Sequence, residues 1–106
     1  MPKYLIHASL TAEGTKGVIK EGGSKRREAV EHAVKGLGGK LEAFYFAFGD
    51  DDVIVLADMP DMVSAAAIAM AVNSSGIVSQ KTTVLITPEE IDQAAKKTVN
   101  YRPPGR

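Results

Sequence analysis

The sequence contains no cysteine and no tryptophan, and its charges cancel. Without cysteine there is no disulfide framework, no thiolate zinc site and no cysteine nucleophile. With 13 Lys plus Arg against 13 Asp plus Glu, the chain lacks the cationic excess that neutralises phosphates, so nucleic acid is not an expected partner. Long apolar runs are missing as well. The longest, Ala65 to Val72, falls far short of the roughly 20 residues that span a bilayer, so no membrane insertion is expected. Met1-Pro2-Lys3 leads straight into a strand pattern, which predicts no signal peptide and a cytoplasmic location.

What is present is ordinary in bulk and uneven in detail. A length of 106 residues, 44% hydrophobic and 25% charged, predicts a single domain over residues 1–106 with an extended tail from 97 to 106. Residues 16–40 hold seven Lys or Arg against three acids, whereas residues 41–80 hold six acids and no Lys or Arg. Opposite fields on two parts of a small domain suit self-association. They are equally compatible with a plain dipolar surface.

Lys3 to Leu10 reads as a first strand closed by the turn-forming Thr11-Ala-Glu-Gly14. Residues 15–37 read as helical, with Gly22-Gly23-Ser24 in the middle. Those glycines either end one helix, with Ser24 capping the next, or lie inside one long helix. Ile19, Gly23, Arg26, Val30, Ala33 and Leu37 recur at spacings of three and four, and this unbroken stripe favours the single helix. Close approach by a neighbour would account for glycine there. Leu41–Phe48 reads as a strand with Phe44, Phe46 and Phe48 on one face and Leu41, Ala43, Tyr45 and Ala47 on the other. After the turn Gly49-Asp50-Asp51, the strand Asp52–Asp58 pairs antiparallel with it. An alanine-rich helix follows Pro60 and stops at Asn73-Ser74-Ser75-Gly76. Ile77–Ile86 reads as an edge strand. Thr87-Pro88-Glu89-Glu90 starts a last helix with Ile91, Ala94 and Ala95 inward.

The order β-α-β-β-α-β plus a terminal helix predicts an α+β, ferredoxin-like antiparallel sheet with its helices on one face. The strands are apolar on both faces, so the other face would exceed the roughly 300–600 Å² of a typical monomer's largest patch. A second copy is the expected cover, making the chain a homo-oligomer.

The order of elements is joined by a resemblance. Thr11-Ala-Glu-Gly14, Gly-Gly-Ser-Lys-Arg-Arg at 22–27, Leu37-Gly38-Gly39, Tyr45, Pro60-Asp61, Lys81-Thr82-Thr83 and the tail Tyr101-Arg-Pro-Pro-Gly105 resemble the GYD-domain family. Of the three residues that name it, Gly49 and Asp52 fit the glycine and the aspartate, and Asp51 stands at the tyrosine place. The resemblance implies a fold of the dimeric α+β barrel type and carries no settled activity.

Four residues are expected at a ligand site: His7, Arg26, Tyr45 and Asp52. His7 lies on the strand face opposite Tyr4, Ile6, Ala8 and Leu10, where an imidazole is either a hydrogen-bonded interface residue or a base. Arg26 sits on the inward stripe and needs a carboxylate, such as Asp52 or Asp58, or an anionic ligand. Tyr45 offers a hydroxyl beside an apolar ring. Asp50-Asp51-Asp52 lacks the ligand spacing of a calcium loop and reads as a charged turn, so no metal is expected. Gly14-Thr-Lys-Gly17 lacks the phosphate-loop pattern, and His32 reads as solvent-facing. The tail either reaches across a subunit contact or is a disordered end.

The expected function is an oligomeric binding or structural module. The alternative is a cofactor-free enzyme or small-ligand sensor, with an anionic ligand in a pocket between helix 1 and the sheet. No cofactor is expected, and the sequence leaves open whether the chain is an enzyme.

Overall fold

Strict alternation in Lys3–Leu10 (β1) buries Tyr4, Ile6 and Ala8 and leaves Lys3, Leu5, His7 and Ser9 half-exposed on the other side. This is the period-two signature of a strand covered on one face. The same alternation in Val53–Asp58 (β3) buries Val53, Val55 and Ala57. Lys40–Phe46 (β2) and Val78–Leu85 (β4) complete a four-stranded sheet in the spatial order β2-β3-β1-β4. All three pairings are antiparallel. The computed structural model describes all 106 residues, and its architecture is the ferredoxin-like α+β fold.

The helices Ala12–Glu21 (α1), Gly23–Gly36 (α2) and Met62–Ser74 (α3) provide the cover for that buried face, while Pro88–Ala95 (α4) follows β4. Thr11 caps α1, its hydroxyl accepting the Gly14 N–H. Asp61 caps α3 by accepting the Ser64 N–H at 2.7 Å. Thr87 and Glu90 form a reciprocal capping box on α4. The core consists of Tyr4, Ile6, Ala8, Val34, Val53, Val55, Ala57, Met59 and Ala65, with Val30, Leu41, Phe44, Phe46, Ile68 and Val78 packed against it.

Three expectations about these elements are corrected. The stripe through residues 15–37 is two helices, not one. Gly22 takes φ +89°, a conformation that L side chains rarely adopt and that breaks the hydrogen-bond ladder. The close approach expected of the glycines is real one residue later: a Cβ on Gly23 would stand 3.0 Å from the Phe46 ring. Leu41 joins the phenylalanine face instead of the Tyr45 face, because the β2–β3 register shifts between Leu41 and Ala43. A bulge of this kind puts two residues opposite one and reverses the alternation. Phe48 lies beyond the strand at φ +54°, yet its ring stacks on Phe46 at 5.9 Å, extending the edge-to-face contact of Phe46 with Phe44.

The last helix departs most from expectation. Ile91, Ala94 and Ala95 do not point inward: every residue from Ile86 to Arg106 is exposed. The capping box holds the α4 backbone without tertiary cover. The chain is therefore long, with extents of 56 × 33 × 22 Å.

Candidate functional site

The sheet separates two environments. On the helix side, α2 and α3 leave a cleft of about 320 Å³ between them, floored by Ile6, Ala8, Val53 and Val55. Of its 18 lining residues 15 are hydrophobic, so it selects for apolar matter. Arg26 and Gln80 are polar members of the wall. The Arg26 guanidinium lies 3.6 Å from the Glu21 carboxylate, so neither Asp52 nor Asp58 is its partner. The pairing follows from the break at Gly22, which turns the end of α1 toward the first turn of α2. Gln80 is buried, its backbone N–H donating to Asn73 Oδ1 and its side-chain amide to Thr82.

The opposite face of the sheet has no helix on it. Register places Tyr45, Ile54, His7 and Lys81 in one row across all four strands. The next row is Ala43, Leu56, Leu5 and Thr83. Beyond it Lys3 is held by Glu42 and, at 3.0 Å, by Asp58. The hydrogen bond to Glu42, then that to Asp58, pushes the Lys3 ammonium above its ordinary value. At the other end His7 Nδ1 lies 2.9 Å from Asp51 Oδ2. A carboxylate only accepts, so Nδ1 donates and Nε2 is the ring nitrogen left free.

The four sequence-predicted site residues therefore do not converge. His7 and Tyr45 lie on the open face, and Arg26 lines the cleft on the other side of the sheet. Asp52 is committed to the backbone, its Oδ2 accepting the Leu10 N–H at 2.8 Å. The pocket between helix 1 and the sheet, expected to bring His7, Arg26 and Asp52 together, is a cleft between α2 and α3 that lacks His7 and Asp52. Sequence reasoning passed over Asp51 and Lys81 as neighbours of His7. Asp51 is 44 positions away, and the Lys81 contact exists only once β4 is paired to β1.

No curated protein and no solved structure matches the chain. The family model of the GYD domain matches residues 4–95, from the first residues of β1 to the last residue of α4. With most of its length matched in this way, the chain belongs to the GYD-domain family.

Proposed function

We propose that the protein works as a homo-oligomeric binding or structural module in which the open sheet face is covered by a second copy, giving an assembly of the dimeric α+β barrel type. The observation that carries this reading is the amount of uncovered surface. A compact monomer of 11.2 kDa exposes about 5,700 Å². This chain exposes 7678 Å² and buries 11 of 106 residues. The excess is larger than the roughly 800 Å² that each partner contributes to a standard interface. Part of it is α4 and the tail, exposed throughout, and apolar side chains of the sheet face and of α3 add to it. Leu5, Ile54 and Leu56 lie side by side on the helix-free face, and Tyr45 is 69% exposed beside them. The charge-free helix α3 also turns Met62, Val63 and Met70 outward, as a helix does when a neighbour covers its far side.

Sedimentation velocity at micromolar concentration tests this reading. A dimer or larger species is expected, with Leu56→Arg shifting it to monomer while the far-ultraviolet circular dichroism is kept. A stable wild-type monomer overturns it.

The cleft favours a second reading, a module that takes up a small ligand on the helix side. Its volume of about 320 Å³ falls at the lower end of small-molecule sites, and Arg26 at its wall suits an acidic head group once Glu21 is displaced. Native mass spectrometry of the purified protein decides this together with subunit count. A retained mass that Arg26→Met abolishes supports the reading, and a bare polypeptide mass counts against it.

A further inference from the structure

Two lysines of the open face lie outside the ion pairs: Lys40, which has Asp58 directly opposite, and Lys81, which has no carboxylate beside it. Lys3 has two carboxylates, Glu42 and Asp58. His7 has Asp51. Lys81 takes part in none of the ion pairs of the chain. The register explains why. Its neighbour across the ladder is His7, its diagonal neighbours are Leu5 and Ser9, and along its own strand the same face presents Ser79 and Thr83. None is a carboxylate. Asp51 lies beyond His7, and Asp52 is occupied by the Leu10 N–H.

A solvated lysine needs no partner, but a covered one does, because removing an ammonium from water costs several kcal/mol unless an anion meets it. A second copy laid on this face brings the same residues. Its Glu42 and Asp58 are already engaged by Lys3, and its Asp51 by the His7 ring, as they are here. A ligand carboxylate is a source of negative charge that leaves those pairs intact. The groups around Lys81 suit one: His7 has its ring fixed by Asp51 and Nε2 free, and Ser9 and Ser79 pair directly across the same edge. Directly opposed residues on one face hold their Cβ atoms about 4.5–5.5 Å apart, so an ammonium, an imidazole and two hydroxyls share one small area. The adjoining surface is apolar, with Leu5, Ile54 and Leu56 contiguous to the row of His7 and Lys81.

We propose that Lys81 and His7, with Ser9 and Ser79, bind the carboxylate of a small amphipathic acid, whose apolar part lies on Leu5, Ile54 and Leu56 and is closed in by the second copy. The proposal rests on the oligomeric reading for its lid and for the cost that makes the anion necessary. It is separate from the Arg26 cleft, which lies on the other face of the sheet.

The test uses benzoate as the probe, followed by proton NMR of the intact protein. The chain has two histidines, and His32 on the exposed side of α2 serves as the internal control. Benzoate is expected to move the His7 ring signals and leave those of His32 in place. Benzyl alcohol, which lacks the charge, and inorganic phosphate, which lacks the apolar part, are expected to bind more weakly. Lys81→Met on the exposed edge strand should weaken benzoate by about tenfold or more, and Arg26→Met should leave it unchanged. Wild-type affinity in Lys81→Met, an undisturbed His7 signal at millimolar benzoate, or tighter binding of phosphate overturns the assignment. Sedimentation of the same samples separates the two readings. A dimer that ignores benzoate overturns the site and keeps the interface. A monomer that binds it overturns the interface and with it the lid, and keeps only the contacts of Lys81 and His7 with the carboxylate.

Discussion

The carboxylate of Asp52 accepts the backbone N–H of Leu10 at 2.8 Å, while the Asp52 N–H donates to the Ala8 carbonyl at 2.9 Å. One residue at the head of β3 thus satisfies two backbone groups at the end of β1, where the ladder stops. Asp52→Ala leaves the Leu10 N–H without its partner and is expected to cost about 1–2 kcal/mol. Asp52→Asn retains an acceptor oxygen and should lose less than half of that. Urea unfolding of the two variants measures both values. Equal losses would show that the carboxylate acts by something other than this bond.

Gly39 and Gly17 should respond oppositely to alanine. A Cβ on Gly39 would stand 2.5 Å from the Asp58 carbonyl oxygen, 2.8 Å from Met59 sulfur and 3.0 Å from Val34. The nearest of these is backbone and cannot swing away. Gly39→Ala is expected to destabilise by about 2–3 kcal/mol or to prevent folding. Gly17 lies inside α1 with nothing within 4 Å of a Cβ. Gly17→Ala should therefore stabilise by about 0.5–1 kcal/mol through helix propensity and a less disordered unfolded chain. Thermal melts of the pair check the opposite signs.

The pH dependence has two limbs. Hydrogen bonds from the Ser64 backbone and side chain hold Asp61 below its ordinary 3.8, and those from Thr87 hold Glu90 below its ordinary 4.5. Depressed carboxylates contribute stability that is fully present above these ordinary values and is lost as pH falls through the folded ones. Lys3 is raised above 10.5 by Glu42 and Asp58, so its contribution is present below 10.5 and lost as pH rises through the folded value. The melting temperature should fall on both sides. Asp61→Asn, which caps without titrating, should flatten part of the acid limb, and Lys3→Met should remove the Lys3 contribution from the alkaline one.

The cleft between α2 and α3 gives a packing test. Ala33 and Ala71 line it from facing helices. Ala33→Leu or Ala71→Leu puts apolar volume into space that is already apolar and keeps good helix propensity. Each is expected to raise stability by about 0.5–1.5 kcal/mol and to reduce the fluorescence enhancement of an apolar anionic dye. A clear loss of stability would mean that the cleft is filled in solution.

An isolated α4 should be separable from the rest. Its residues are all exposed, so Ile91→Ser is expected to leave the melting temperature within about 1 °C of wild type, as a surface substitution does. If Ile91 packs on a partner copy, the same substitution instead weakens self-association in sedimentation.

The strands and caps were legible from local chemistry. Alternation in β1 and β3, the capping box at Thr87 and Glu90, and the turn after Phe48 depend on residues near one another in sequence. The helical stripe from Ile19 to Leu37 misled because spacing records which face a residue would occupy if helical and is blind to a positive φ at Gly22. The face of Leu41 was hidden in a similar way, since one extra residue in β2 reverses every side chain beyond it. Of the candidate site, the type of each residue was legible and the grouping was not. His7 and Arg26 were expected together, and the sheet places them on opposite sides.

By itself the sequence determined the α+β order of elements, the family, and the presence of more apolar sheet surface than the chain's own helices cover. The order of elements and the apolar excess follow from composition and short-range periodicity, which act residue by residue along the backbone, and the family from the resemblance of its motifs. Only the tertiary structure decided that Asp51 holds His7, that Lys81 stands beside it without a carboxylate, and that Arg26 belongs to a cleft on the other face. These depend on which strands become neighbours and in what register, and that is set by long-range packing rather than by any local pattern.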